Sequence, residues 1–139
     1  MGRIRQGLNY LFVKPNVKDI EKVKLFLTEK EYNIFINMDR YEKVHSIDVY
    51  EMVKKDNILK KDDRYLKLAL LHDCGKERIC LLTRVKKVFV GDKLLDQHPK
   101  LGYEKLKDID KELADLILNH HSQNGSEKMK RFQDIDDES

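Results

Sequence analysis

The chain has 139 residues, of which 40% are hydrophobic and 38% charged, with a formal charge of +3. That is the size of one ordinary domain, able to bury a core without disulfides. The charge is too small, and its basic residues too interspersed with acids, to argue for nucleic acid; no apolar run of membrane-spanning length occurs, and Gln6 stands where a myristoylation signal needs Ser or Thr. Cys74 and Cys80, the two cysteines, fit no four-ligand zinc spacing and read as unbridged thiols of a reducing compartment. A cytoplasmic protein of one structural domain is the expectation.

Apolar residues recur every three or four positions between short breaks, which predicts an all-α fold, a single compact helical bundle. Behind Pro15-Asn16, residues Ile20, Val23 and Leu27 mark a helix over about 18–27. A short apolar segment covers 32–38, and Asp39 then offers an N-cap for a helix over about 40–55. Asp62 or Asp63 caps the next helix, which runs through Leu66, Ala69 and Leu70 into His72-Asp73 and stops at Gly75. Over 81–90, the residues Val85, Val88, Phe89 and Val90 suit a helix or a short strand, helix being the preferred reading. His98-Pro99 opens another helix, where proline at the first turn loses no needed N–H. Helices over about 111–121 and 126–137 follow, separated by the turn Gln123-Asn124-Gly125. Residues 1–38 are taken as an N-terminal helical segment packing on a core formed by residues 39–139.

Several polar side chains fall on the apolar rows of these helices. Tyr41, His45, Val49 and Met52 share one row, which turns His45 inward. Leu66, Leu70 and Asp73 share another, so a carboxylate continues a leucine face. Burying a polar group without a partner costs roughly 2–7 kcal/mol by transfer estimates, so Asp73 needs compensation. Leu113, Leu116, Ile117 and His120 form an inward row with His121 on its flank, and Met129, Phe132 and Asp136 share a face from which Asp134 and Asp137 project away. Each position has a plain alternative. A lone inward histidine is commonly a hydrogen-bonded core residue, His98 can be an ordinary helix-entry residue, His120-His121 can favour the negative pole of a helix, and Asp136 can be solvated near the terminus. Their conjunction on separate helices points instead to a bound metal. Imidazoles with carboxylates suit Fe, Mn, Co, Ni or Zn, whereas Mg and Ca prefer oxygen-only shells.

The string Leu70-Leu71-His72-Asp73-Cys74-Gly75-Lys76 resembles the signature of the HD-domain superfamily of metal-dependent phosphohydrolases, usually His-Asp-Ile-Gly-Lys in bacterial members. Lys43-Val44-His45-Ser46 resembles that family's first histidine. His98-Pro99 with Gly102, and Asn119-His120-His121, resemble the segments that supply further histidines in binuclear members, and Gln133-Asp134-Ile135-Asp136-Asp137 is similar to the closing aspartate segment. The likeness covers about residues 39–137 and departs at Cys74, where an apolar residue is usual.

The resemblance implies a metal centre in the core of an all-α domain, with one or two divalent transition metal ions, Fe or Mn first and Zn, Co or Ni allowed. It implies hydrolysis of a phosphoester or phosphoanhydride bond in a phosphorylated small molecule, by preference a nucleotide, through a metal-activated hydroxide. His45, His72, Asp73 and Asp136 are the implied ligands of the first ion. Asp73 would bridge to a second ion held by His98 and His120, with His121 a further ligand or a neighbour. Asp73 and Lys76 are the implied catalytic residues, and Lys76, with Arg84 or Lys86, would hold the substrate phosphate. A catalytically inactive nucleotide-sensing module built on the same shell is the alternative. A homodimer is compatible with either.

Overall fold

The structure, a computed structural model, describes residues 16–76 and 98–139, and every regular element among them is helical. α1 (Val17–Phe26) and α2 (Glu29–Ile36) are short consecutive helices, followed by α3 (Arg40–Lys55), which packs along α4 (Asp63–Leu71). α5 (His98–Leu106) and α6 (Lys111–Leu118) form a second pair, and α7 (Glu127–Glu138) closes against α3. Single 3-10 turns at Leu59–Lys61 and Cys74–Lys76 precede and follow α4, the second of them packed against α5. No helix among the described residues is long and apolar enough to cross a membrane.

Local chemistry explains where the helices begin. Asn16 accepts from the Lys18 N–H at 2.9 Å, Asp62 from Arg64 at 3.1 Å, Asp110 from Leu113 at 3.1 Å and Ser126 from Met129 at 3.2 Å. Each satisfies a donor that the first helical turn leaves unpaired. Asp39 takes the N-cap position of α3, but its side chain makes no capping hydrogen bond. α2 begins at Glu29, ahead of the expected 32–38 segment, because Thr28 and Glu31 form a reciprocal capping box. The core gathers residues of all seven helices, among them Val23, Phe35, Val49, Val53, Leu68, Leu70, Leu106, Leu113, Ile117 and Phe132.

Two helix ends differ from expectation. α4 stops at Leu71; His72 is its C-cap, donating its N–H to Leu68 O at 2.7 Å, and Asp73 lies in the turn beyond. α6 stops at Leu118, where the Asn119 side chain turns back to donate to Asp115 O at 2.9 Å, so His120 and His121 lie in the following turn. The face of α3 is also rotated from the expected row. Glu42, Ser46, Val49, Tyr50 and Val53 are buried, while Tyr41, His45 and Met52 are only half-buried. Packed between α4 and α7, α3 turns its widest face to the core and leaves His45 on the margin, where it reaches α7. The element expected over 81–90, with Cys80, lies outside the described residues.

Glycines let the second 3-10 turn sit directly on α5. A Cβ at Gly75 would stand 1.9 Å from His98 O and 2.8 Å from Gly102 N, both backbone atoms. A Cβ at Gly102 would meet Ile117 Cγ2 at 2.7 Å and Cys74 Sγ at 3.3 Å. This close approach sets His98 beside Asp73. Gly75→Ala must therefore push the start of α5 away, and overpacking of this kind costs about 1–3 kcal/mol or more. Denaturant unfolding should show a loss of at least that size, and a variant as stable as the parent would contradict the contact.

Candidate metal centre

The ends of α4 and α6, the start of α5, the middle of α3 and the last turn of α7 bring five imidazoles and two carboxylates to one place. The rings of His72 and His120 are oriented by the backbone. A carbonyl can only accept, so His72 Nδ1 donates to Ala69 O at 2.9 Å and His120 Nδ1 donates to Ile117 O at 2.5 Å. Each ring thereby turns Nε2 inward, the arrangement that a neighbouring carbonyl imposes on metal-binding histidines. Phe132 lies edge-on to the His72 ring, 5.4 Å between centroids, and holds it from the side.

The inward atoms fall into two trios, His45, His72, Asp136 and His98, His120, His121, with ligand atoms within 4.8 Å of one another in each. In the first, Asp136 Oδ1 lies 3.0 Å from His45 Nε2 and 3.2 Å from His72 Nε2. In the second, His98 Nε2 lies 3.2 Å from His120 Nε2 and 3.3 Å from His121 Nε2. Asp73 stands between them. Its Oδ2 is 3.2 Å from His72 Nε2 and 3.7 Å from His45 Nε2, while its Oδ1 is 3.3 Å from His98 Nε2. His72, His98, His120 and Asp73 are buried, whereas His121 is exposed although its ring reaches His98.

Charge is distributed unevenly over the two trios. Burial alone would lower the His72 pKa, but Asp73 and Asp136 overcome it and hold the imidazole well above its ordinary value. Burial likewise opposes ionisation of Asp73 and Asp136, and His72 foremost among their partners draws both well below the usual carboxylate value. His120 is pushed down to about 3, first by burial and then by His72 and His121. His121 is lowered by burial and by His98. The first trio therefore binds a proton firmly, whereas in the second His120 and His121 are held against protonation.

Lone pairs and carboxylate oxygens this close repel unless a proton or a cation stands between them. Tetrahedral nitrogen ligands about 2.0–2.1 Å from an ion lie about 3.3 Å apart, which matches the separations of His98 from His120 and from His121. The residues present thus fit divalent transition metals of the imidazole-and-carboxylate class. A cavity of about 270 Å³ opens onto this centre, lined by Tyr41, His45, Asp73, Lys76, His121 and Asp136 among others. The Lys76 ammonium, 3.5 Å from Asp73 Oδ1, is held in its charged form against the effect of burial, first by Asp73 and then by Glu42 and Asp136. A larger hollow of about 410 Å³ beside Asp62, Arg64 and Lys128 contains none of these imidazoles.

All seven residues expected at the metal centre, and Lys76, are thus brought together, while Arg84 and Lys86 lie outside the described residues. Sequence reasoning overlooked Glu42. It is 5% exposed, its Oε2 has no hydrogen-bond partner, and burial, then the charge of Asp73, push its carboxyl up to about 7. The signal was the alternative row Glu42, Ser46, Val49, Val53, which steps at helical spacing but begins with two polar residues.

A family model described as HD domain matches residues 44–137, and neither the curated proteins nor the solved structures compared gave a match. The match opens on the residue before His45 and closes on the residue after Asp136, so it encloses every imidazole and acid of the centre. On that span, more than half of its length, the chain belongs to the HD-domain family.

Proposed function

We propose that this chain is a metal-dependent phosphohydrolase that cleaves a phosphoester or phosphoanhydride bond in a small phosphorylated molecule, most suitably a nucleotide. The observation that carries this reading is the position of Asp73, one carboxylate oxygen toward each trio. In this reading His45, His72, Asp73 and Asp136 hold one ion, and Asp73, His98, His120 and His121 hold a second. Fe or Mn suits this mixed set best, with Zn, Co or Ni also compatible. Divalent ions so held supply Lewis acidity toward phosphoryl oxygens and nucleophilic solvent at neutral pH.

The protein's own part is positional and electrostatic. Asp73 keeps the two trios at a fixed separation, and the carbonyls of Ala69 and Ile117 keep the lone pairs of His72 and His120 aimed inward. Lys76, on the cavity wall, offsets the charge of the substrate phosphate as the phosphorus–oxygen bond to the leaving group breaks. Arg84 and Lys86 are assigned to the same anion. The half-open cavity of about 270 Å³ has room for the reacting phosphate and an adjoining group.

Two outcomes test the reading. Asp73→Ala should lose both bound metal, by elemental analysis, and turnover on a panel of phosphoesters, while far-ultraviolet circular dichroism stays largely helical. Unchanged turnover would end the proposal, and tight nucleotide binding with no turnover in the wild type would favour a sensing module.

The second outcome concerns pH. The folded value of His72 lies above its ordinary 6.5, so its contribution to the stability of metal-free protein is complete below about 6.5 and is lost as pH rises through the raised value. Asp73 and Asp136 lie below the ordinary 3.8, so their contribution is present above 3.8 and lost as pH falls through their depressed values. A metal ion has to displace the His72 proton. Melting temperatures in chelator should therefore fall as pH rises through the alkaline range, and the gain on adding Mn or Zn should grow with pH. A metal-induced gain that is independent of pH would contradict the assigned ligand set.

A further inference from the structure

Two carbonyls flank His121 in the turn after α6, and both are held by one side chain of α7. Gln133 Nε2 donates to His120 O at 3.1 Å and to Ser122 O at 2.8 Å. A primary amide has two N–H donors, and this pair of bonds uses both. The backbone on either side of His121 is thereby pinned to α7 at a point one turn before Asp136. Gln133, His121 and Asp136 also line one hollow of about 190 Å³, where the two trios adjoin.

His121 depends on such a clamp more than its neighbours do. The rings of His72 and His120 are aimed by carbonyls that accept from Nδ1. Among the described residues, no hydrogen bond holds His121 Nδ1; its Nε2 meets His98 Nε2 at 3.3 Å. The residue is exposed, so close packing does not set its direction either. The course of its backbone then decides where its Nε2 lies. Gly125, later in the same loop, sits against α7 as well: a Cβ there would stand 2.8 Å from Met129 Cγ. The loop thus has a second seat on α7, and the Gln133 bonds govern the His121 backbone locally.

Resting on the two-ion phosphohydrolase reading, we propose that Gln133 is a positioning residue for the second ion: its amide, bonded to the carbonyls on both sides of His121, holds that imidazole within reach of an ion shared with His98 and His120. Gln133 acts through the His121 backbone and is not itself a ligand. Removing its donors therefore matters to the metal only while His121 is present.

Titration of Co(II) into metal-free wild type, Gln133→Met, His121→Ala and the double variant, followed by calorimetry and by visible absorption of the bound ion, tests this. Wild type should take up two ions per chain. Gln133→Met keeps the length of the side chain and removes its donors. In it one ion should bind as in wild type and the other roughly 10–100-fold more weakly, the range for loss of a group that orients a ligand. His121→Ala should show the same split, and the double variant should bind the second ion no more weakly than His121→Ala. The visible bands of the second ion should change in Gln133→Met, a signature that a purely packing role would not move. Gln133→Leu carries the same expectation and replaces Met should that variant fail to fold. Undiminished binding of both ions in Gln133→Met, equal weakening of both, an unaffected second ion in His121→Ala, or a full further loss in the double variant would overturn the inference and leave the two-ion reading standing. A wild type that takes up fewer than two ions would overturn that reading and the inference with it.

Discussion

The rest of the structure is organised around a single buried carboxylate. Asp73 is 3% exposed, and an ionised side chain removed from water carries an effective penalty of several kcal/mol unless opposing charge surrounds it. His72 and Lys76 supply opposing charge at 3.2 and 3.5 Å, and the His45 and His98 rings stand at 3.7 and 3.3 Å. Much of the backbone architecture serves these four distances. α4 ends one residue before His72, the 3-10 turn that follows sits on α5 through Gly75, and α7 closes over His72 with Phe132 and Asp136.

The same orienting device yields two different seats. His72 and His120 each donate Nδ1 to a carbonyl three residues earlier in the chain, yet one is held protonated and the other is pushed down to about 3. The difference lies in what faces Nε2: two carboxylates for His72, other imidazoles for His120. A cation in the first trio meets the charge of Asp136 as well as that of Asp73. In the second it would meet three imidazoles, with Asp73 Oδ1 3.3 Å from His98 Nε2. The two trios would thus be unequal seats for cations, with Asp73 turned toward both.

The sequence revealed the helices better than it revealed their ends and faces. α3 was readable at both ends because Asp39 stands at its N-cap and lysines close its last turn. The start of α2 was missed because the eye follows apolar residues, and the capping box Thr28-Glu31 lies outside the apolar segment. On α3 the rule that hydrophobic residues mark the buried row selected Tyr41, His45 and Met52 over Glu42 and Ser46. It failed there because two polar side chains are buried beside a charged centre, which no hydrophobic periodicity registers. Asp73 and Asp136 were picked out by the opposite logic, as acids on rows otherwise filled by Leu66, Leu70, Met129 and Phe132. The exact end of α6 depended on one side-chain hydrogen bond from Asn119, below the resolution of any spacing argument.

The convergence of the two trios on Asp73 can be seen directly by diffraction from tag-free protein, with anomalous data collected on both sides of the Fe, Mn and Zn edges. The account expects metal peaks on each side of the Asp73 carboxylate, one among His45, His72 and Asp136 and one among His98, His120 and His121. A dry centre, or a metal bound elsewhere with these imidazoles pointing apart, would contradict it.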